Sequence, residues 1–353
     1  MDLLRRVILP TFLLGQDSVQ YNLLWRIEGN DLQEPSYLFG TMHVNDARAF
    51  NFSDSVMLAL ERCDAFAMEV HPDTMMNSMF QELFNSSKEN NFTDILSEEE
   101  YQQLKQKFEE KSTLDLDKIN IQSPSILSSM MEPDEDKADD KATFVDAYLF
   151  GIARTLNKSI WGLERMKDHS DAFSDYNKEQ QRAFLLGLIN DEYETGYQQM
   201  LNELVDVYKE GNITKIGSMA NVFTAVDSPL IRRNFVMVNS MEKLMQKQSL
   251  FAAVGTAHLP GKNGIIRILT QKGYRVSPVS ASFTGVAEKF SIDYNKMSWH
   301  SQIDSNFGFS IDFPGKPTQI DLFNNLNTLM YVDLTNEVFL SAYFIDMRGG
   351  KEQ

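Results

Sequence analysis

Two strings, Gly40-Thr41-Met42-His43 and Gly255-Thr256-Ala257-His258, hold two of the five histidines in 353 residues, and each closes an apolar, strand-like run. With 18 glycines in the chain, two of five histidines with glycine at the same spacing is roughly a one-in-fifty coincidence. A shared chemical job is the natural reading. A neutral imidazole is a good transition-metal ligand, and a glycine three residues earlier lets the chain turn sharply off a strand so that the ring points into a site. Thr41 and Thr256 can hydrogen-bond that turn. The structural alternative is that each histidine caps the following helix or completes a buried polar network.

Carboxylates and a cation stand where they could join such a site. Glu69 ends an apolar run after the first histidine corner, where it can be a metal ligand or a general base, or a surface strand-end residue. Glu164 ends a similar run and is followed by Arg165; catalysis and pairing with a cation such as Arg233 are both open. In Arg232-Arg233-Asn234 one arginine can orient a carboxylate or stabilise an oxyanion. His71, two residues past Glu69 and just before Pro72, reads as a loop residue rather than a ligand. His169 and His300 read as surface or packing residues, and Met75, Met76 and Met79 as core filler at helical spacing. No nucleophile stands out: Cys63 precedes a buried strand, and no G-x-S-x-G string exists.

The elements that must position these groups follow from periodicity. Leu23–Ile27 and Ser36–Gly40 read as a hairpin about the turn Glu28-Gly29-Asn30-Asp31. A helix follows from Ser53, and Asp64–Val70 reads as a buried strand. Near residue 250 the order returns: strand Leu250–Val254, helix Gly261–Lys272 stopped by Gly273, strand Tyr274–Val279. The two strings thus occupy equivalent corners of two β-α-β units, at the carboxyl ends of strands, where α/β sheets form their sites. Between the units lies a long helical segment. Phe144, Val145, Tyr148, Leu149, Ile152 and Leu156 repeat at helical spacing, Asn157 can close that helix, and Ser159–Glu164 reads as a buried strand. Amphipathic helices run from Asn177 to about Gln248, broken at Gly211-Asn212 and Ser228-Pro229.

Residues 86–100 and 132–141 read as solvated, the latter without the glycine and ligand spacing of a calcium loop. From residue 286 short alternating strands, with a turn at Phe313-Pro314-Gly315-Lys316-Pro317, indicate a small β-rich appendage with too few strands for a closed domain. The expected division is therefore 17–285 as an α/β domain and 286–353 as that appendage. Residues 1–16, with Arg5 and Arg6 before a short apolar run, resemble the remnant of an export signal or form an ordinary amphipathic helix. Export to the periplasm or cell envelope follows from the first reading and a cytoplasmic protein from the second. The net charge of −17, from 50 acidic and 33 basic side chains, argues against nucleic acid or an anionic membrane as partner. A single cysteine forbids an intramolecular disulfide and a multi-cysteine zinc site. No stretch of about 18 apolar residues provides a transmembrane anchor.

Taken together, Leu24-Trp25-Arg26-Ile27, Tyr37-Leu38-Phe39-Gly40-Thr41-Met42-His43, the strand ending at Glu69, Asp146 with its helix leading to Lys158–Glu164, Arg233-Asn234 and Val254–Gly261 resemble the TraB/GumN family. The resemblance spans roughly residues 22 to 280. That family is related to the Tiki metalloproteases and, more distantly, to erythromycin esterase and ChaN-like proteins, the last associated with haem. The resemblance implies an α/β fold of two β-α-β repeats in which the paired G-x-x-H motifs and a glutamate form a metal-dependent hydrolytic site. His43 and His258 carry over as the paired histidines, Glu69 as the leading carboxylate, and Glu164 and Arg233 as companions. His169 departs from the pattern, standing where a glutamine-like residue is expected.

The resulting expectation is a metal-dependent peptidase in which His43, His258 and Glu69 hold Mn²⁺, Co²⁺ or Zn²⁺, Glu69 or Glu164 moves the proton, and Arg233 steadies a carboxylate or the oxyanion. The substrate would be a peptide or another small molecule. The alternative is a protein that captures a peptide or haem-like ligand in the same cleft without turnover, and a scaffold built on the β-rich tail is a third reading.

Overall fold

The fold is described from a computed structural model for residues 21–85, 92–112, 114–117, 121, 124–131, 140–166, 168, 177–223, 229–304, 308–322, 326–336 and 338–343. The expected N-terminal leader, most of the acidic stretch 132–141 and His169 lie outside these residues.

The first strand, β1 (Leu24–Glu28), turns back on β2 (Ser36–Thr41) as an antiparallel hairpin, as the alternation predicts. Its turn places Gly29, Asn30 and Asp31 at φ of 90°, 48° and 60°, a left-handed run that Asn and Asp tolerate better than bulkier residues. Helix α1 (Asp54–Arg62) leads to β3 (Ala65–Val70). Further on come β4 (Ser159–Glu164), β5 (Leu250–Gly255) and β6 (Arg275–Pro278). They form one six-stranded sheet in the order β4-β3-β5-β2-β1-β6. Strands β2, β5, β3 and β4 run parallel, and β1 is antiparallel to both its neighbours.

Both units keep the expected chain order of strand, helix, strand, but they interleave: β5 sits between β2 and β3. Residues 250–254 of β5 are all buried, and β2 is buried throughout, as parallel strands covered on both faces must be. The expectation of a buried β4 is corrected. It pairs only with β3, so its side chains alternate towards solvent, Trp161 is 44% exposed, and only Leu163 and Glu164 are buried. The helix expected over Gly261–Lys272 is shorter. A 3₁₀ turn at Thr256–His258 precedes it, Gly261 takes φ 91°, and the α-helix runs Ile265–Gln271.

In the middle segment α2 (Pro72–Asn85), α3 (Glu98–Lys111), α4 (Pro124–Met131), α5 (Val145–Thr155), α6 (Lys178–Ile189), α7 (Asp191–Lys209), α8 (Ile213–Phe223) and α9 (Pro229–Met245) follow one another, and the Ile265–Gln271 helix is α10. Asn157 at φ 51° and Gly211 at φ 69° stop α5 and α7 where their residue types predict. The stretch 86–100 is not wholly solvated. Phe92 and Leu96 are buried with Tyr101, Leu104 and Phe108 of α3 and Leu185 of α6 in a satellite core, and a Ser97–Glu100 capping box starts α3. Past the sheet, β7 (His300–Asp304) pairs with β8 (Phe309–Phe313), and β9 (Thr318–Leu322), β10 (Leu326–Asp333) and β11 (Val338–Tyr343) form an antiparallel sheet, the small β-rich unit expected. Among the described residues no helix is long and apolar enough to cross a membrane.

Candidate functional site

The register of β2 against β5 aligns Thr41 with Gly255, so the two histidine strings leave the sheet side by side. On the other flank of β5, β3 ends just past Glu69, and Val70 aligns with Glu164 of β4. Four neighbouring parallel strands therefore deliver His43, His258, Glu69 and Glu164 to one carboxyl edge. Distance along the chain has no bearing on this; sheet order does.

The glycines serve space rather than turning. Gly255 has φ −51° and ψ 132°, Gly40 is not among the glycines at positive φ, and the expectation of a glycine-dependent turn is corrected accordingly. A Cβ at Gly40 would stand 2.9 Å from Thr256 Oγ1, and one at Gly255 would stand 3.1 Å from Glu69 Oε1. The missing carbons let two strands and a carboxylate approach closely. Thr256 Oγ1 donates to the Thr41 carbonyl at 2.7 Å, and Thr41 Oγ1 donates to Asp146 Oδ1. The buried Tyr208 hydroxyl donates to the Gly40 carbonyl at 2.9 Å, and burial raises its pKa well above the ordinary tyrosine value.

Each histidine is held from a helix. His43 Nδ1 lies 3.1 Å from Asp146 Oδ2, and its ring lies 3.9 Å from that of Phe144. His258 Nδ1 lies 2.6 Å from Asn234 Oδ1. Asn234 Nδ2 donates to the Asn263 carbonyl at 2.8 Å, so its amide oxygen faces the ring and His258 Nδ1 carries the proton. In neutral imidazole Nε2 then carries the lone pair, and Glu69 Oε1 lies 3.6 Å from it. A cation between the two, proton or metal, would be held by both.

Glu69 is fixed at both oxygens: Gly255 N–H donates to Oε1 at 2.7 Å and Arg233 Nη2 to Oε2 at 2.5 Å. Arg233 also holds Glu164 through Nε at 2.9 Å and Nη2 at 2.7 Å. Burial by itself would lower the pKa of the Arg233 guanidinium; the charges and hydrogen bonds of Glu69 and Glu164 outweigh it, and the net shift is upward. Among the described residues Arg233 thus bridges two carboxylates, Glu69 and Glu164, while Asp146 stands on the His43 side of the site.

Thr41, Met42, His43, Glu69 and residues 255–258 line a cleft of about 260 Å³, walled by Met200, Leu204, Tyr208, Ile216 and Met219. Glu164, whose side chain is wholly buried, and Arg233 stand behind Glu69 rather than in the cleft lining. Among the described residues no three His, Cys, Asp or Glu side chains are gathered as a metal cluster; what the structure brings together is the pair His258 and Glu69, with His43 lining the same cleft. His71 Nδ1 accepts the Asp73 N–H at 3.2 Å at the start of α2, a capping role, and His300 lies on β7. Cys63 is buried, which pushes its thiol up to about 12, no setting for a nucleophile.

The sequence reading assigned no role to Asp146 or Asn234. Both carried a signal. Asn234 continues the buried stripe Met237, Val238, Met241 and Met245, and Asp146 stands between the buried Val145 and Ala147; a polar group among such residues needs a partner. The methionine wall of the cleft was also missed, because its members come from separate elements.

Strand order defines an α/β protein, and the paired corners place its candidate site at the carboxyl ends of parallel strands. A family model, the TraB/PrgY/gumN family, matches residues 23–278, which is more than half of the chain, and the protein belongs to that family. No curated protein and no solved structure gives a match.

Proposed function

We propose that the protein is a metal-dependent hydrolase acting on peptides. The observation that carries this reading is His258 Nε2 facing Glu69 Oε1 at 3.6 Å, with the opposite ring nitrogen committed to Asn234. A separation of about 3–3.6 Å is what two ligands of one divalent ion have when each bond is about 2.0–2.2 Å. The chemistry of the donors fits such an ion: both histidines have Nδ1 on a side-chain oxygen, the arrangement that leaves Nε2 for a metal, and Glu69 adds a carboxylate oxygen. Held by His43, His258 and Glu69, a Mn²⁺, Co²⁺ or Zn²⁺ ion would supply an acidified water and polarise the scissile carbonyl.

The chain's own groups do the rest. Asp146 and Asn234 orient the imidazoles, and the Gly255 N–H and Arg233 aim Glu69. Of the two carboxylates considered for proton transfer, Glu69 lines the cleft, whereas Glu164 is engaged by Arg233 from behind. Metal content and peptide cleavage of the protein beside His43→Ala and His258→Ala, with each of the three ions, test the reading. Metal-dependent cleavage is expected to vanish in both variants while circular dichroism is unchanged; full activity in either variant overturns it.

One observation favours capture without turnover as the second reading. Met42, Met200, Met219 and Leu204 give the cleft a pliable apolar wall suited to a flexible or haem-like ligand. A Soret band on haem addition, indifferent to divalent ions, would select it.

A further inference from the structure

Helix α5 is covered on two sides. Val145, Leu149, Ile152 and Ala153 join the core over the sheet with Phe39, Phe66 and Phe251. A surface helix would turn its other side to water, yet here Thr143, Phe144, Ala147, Tyr148, Gly151, Arg154 and Thr155, a stripe at helical spacing, meet the chain beyond the family match.

The contacts run the length of the helix. Thr143 Oγ1 donates to the Leu334 carbonyl, and Phe144 and Ala147 pack with Met330 and Leu334. Tyr148 OH donates to the Phe290 carbonyl at 3.4 Å, Arg154 Nη1 to Tyr331 OH at 3.2 Å, and the Asp293 N–H to Thr155 Oγ1 at 3.0 Å. At Gly151 a Cβ would lie 2.6 Å from Ile292 Cδ1 and 2.8 Å from Thr335 Cγ2. The covering segment is itself braced: Asp333 accepts from Tyr294 OH at 2.6 Å and from the Thr335 N–H at 3.0 Å.

The N-terminal end of α5 also holds His43, through Phe144 and Asp146. The His43 side chain is 70% exposed, and both of these contacts reach it from the start of α5. His258 is 4% exposed and held by Asn234 of α9, an element outside this seam. We propose that the C-terminal β-rich unit, lying past the stretch that the family model matches, is a positioning device for one half of the histidine pair: it clamps α5 and thereby sets His43 while leaving His258 untouched. The proposal rests on the functional reading only in taking His43 as a working residue.

The test uses the full chain without metal or substrate, so its failure is distinct from failure of the hydrolase reading. Gly151→Ala places a methyl against Ile292 and Thr335 while favouring the helix itself, and Thr143→Val removes one hydrogen bond at nearly constant shape. Side-chain ¹⁵N shifts of the histidines report the tautomer. In either variant His43 is expected to move towards the mixed tautomers of free imidazole, with the His258 signals and circular dichroism unchanged. His43 signals unaltered in both variants, or His43 and His258 shifting alike, would overturn the proposal.

Discussion

At the scale of single residues the two histidines are unequal although their strings match. His258 is buried with one nitrogen committed to Asn234; His43 stands in the open against Asp146 and Phe144. Asn234→Ala leaves His258 Nδ1–H without its acceptor, a cost of about 1–3 kcal/mol, and on the functional reading it lowers metal affinity or turnover by about 10–100-fold. Urea unfolding beside metal titration separates the two effects. Gly255→Ala is expected to damage function more than fold, since the new methyl meets the Glu69 carboxylate at 3.1 Å and the carboxylate must give way. On the functional reading a near-wild-type melting temperature with impaired metal binding is the expected outcome; unimpaired binding would show that Glu69 can be displaced without consequence.

Among the elements, α1 is tied to the loop that follows the sheet. Asp54 at its start accepts the N–H groups of Thr284 at 2.7 Å and Ala287 at 3.0 Å, and these bonds, the Ala287 one foremost, hold its carboxyl below the ordinary 3.8. A carboxylate depressed in the folded state adds stability above its unfolded pKa and loses it as pH falls through the folded value. Wild type should therefore exceed Asp54→Asn by a constant margin above about pH 5, and the margin should shrink below pH 3.8, as read by urea unfolding across that range. Elements of this kind were legible in the sequence wherever local chemistry decides: the hairpin from its Gly-Asn-Asp turn, the end of α5 from Asn157, the repeated corners from their strings. What was not legible depended on neighbours. The exposure of β4 follows from its place at the sheet edge, Phe92 and Leu96 are buried by helices far along the chain, and the partners of the histidines lie 103 residues from His43 and 24 from His258. Periodicity reports which face of an element is apolar, not what comes to cover it.

For the whole molecule, the seam along α5 joins the C-terminal unit to the main core, so the two should unfold together. Trp25 on β1 and Trp299 beside β7 offer a reporter on each side; single-tryptophan variants followed by fluorescence are expected to share one urea midpoint, and an earlier transition at Trp299 would show an independent unit. The sheet order has a further consequence, in the timing of synthesis. Strands β2 and β3 are complete by residue 70, but the strand that separates them spans residues 250–255. At about 5–20 residues per second, a nascent chain waits roughly 10–40 s for it. Through that interval the slot at the centre of the sheet stays empty and its apolar flanks exposed, so β5 arrives as a wedge that closes the sheet and brings the two histidines together in a single event.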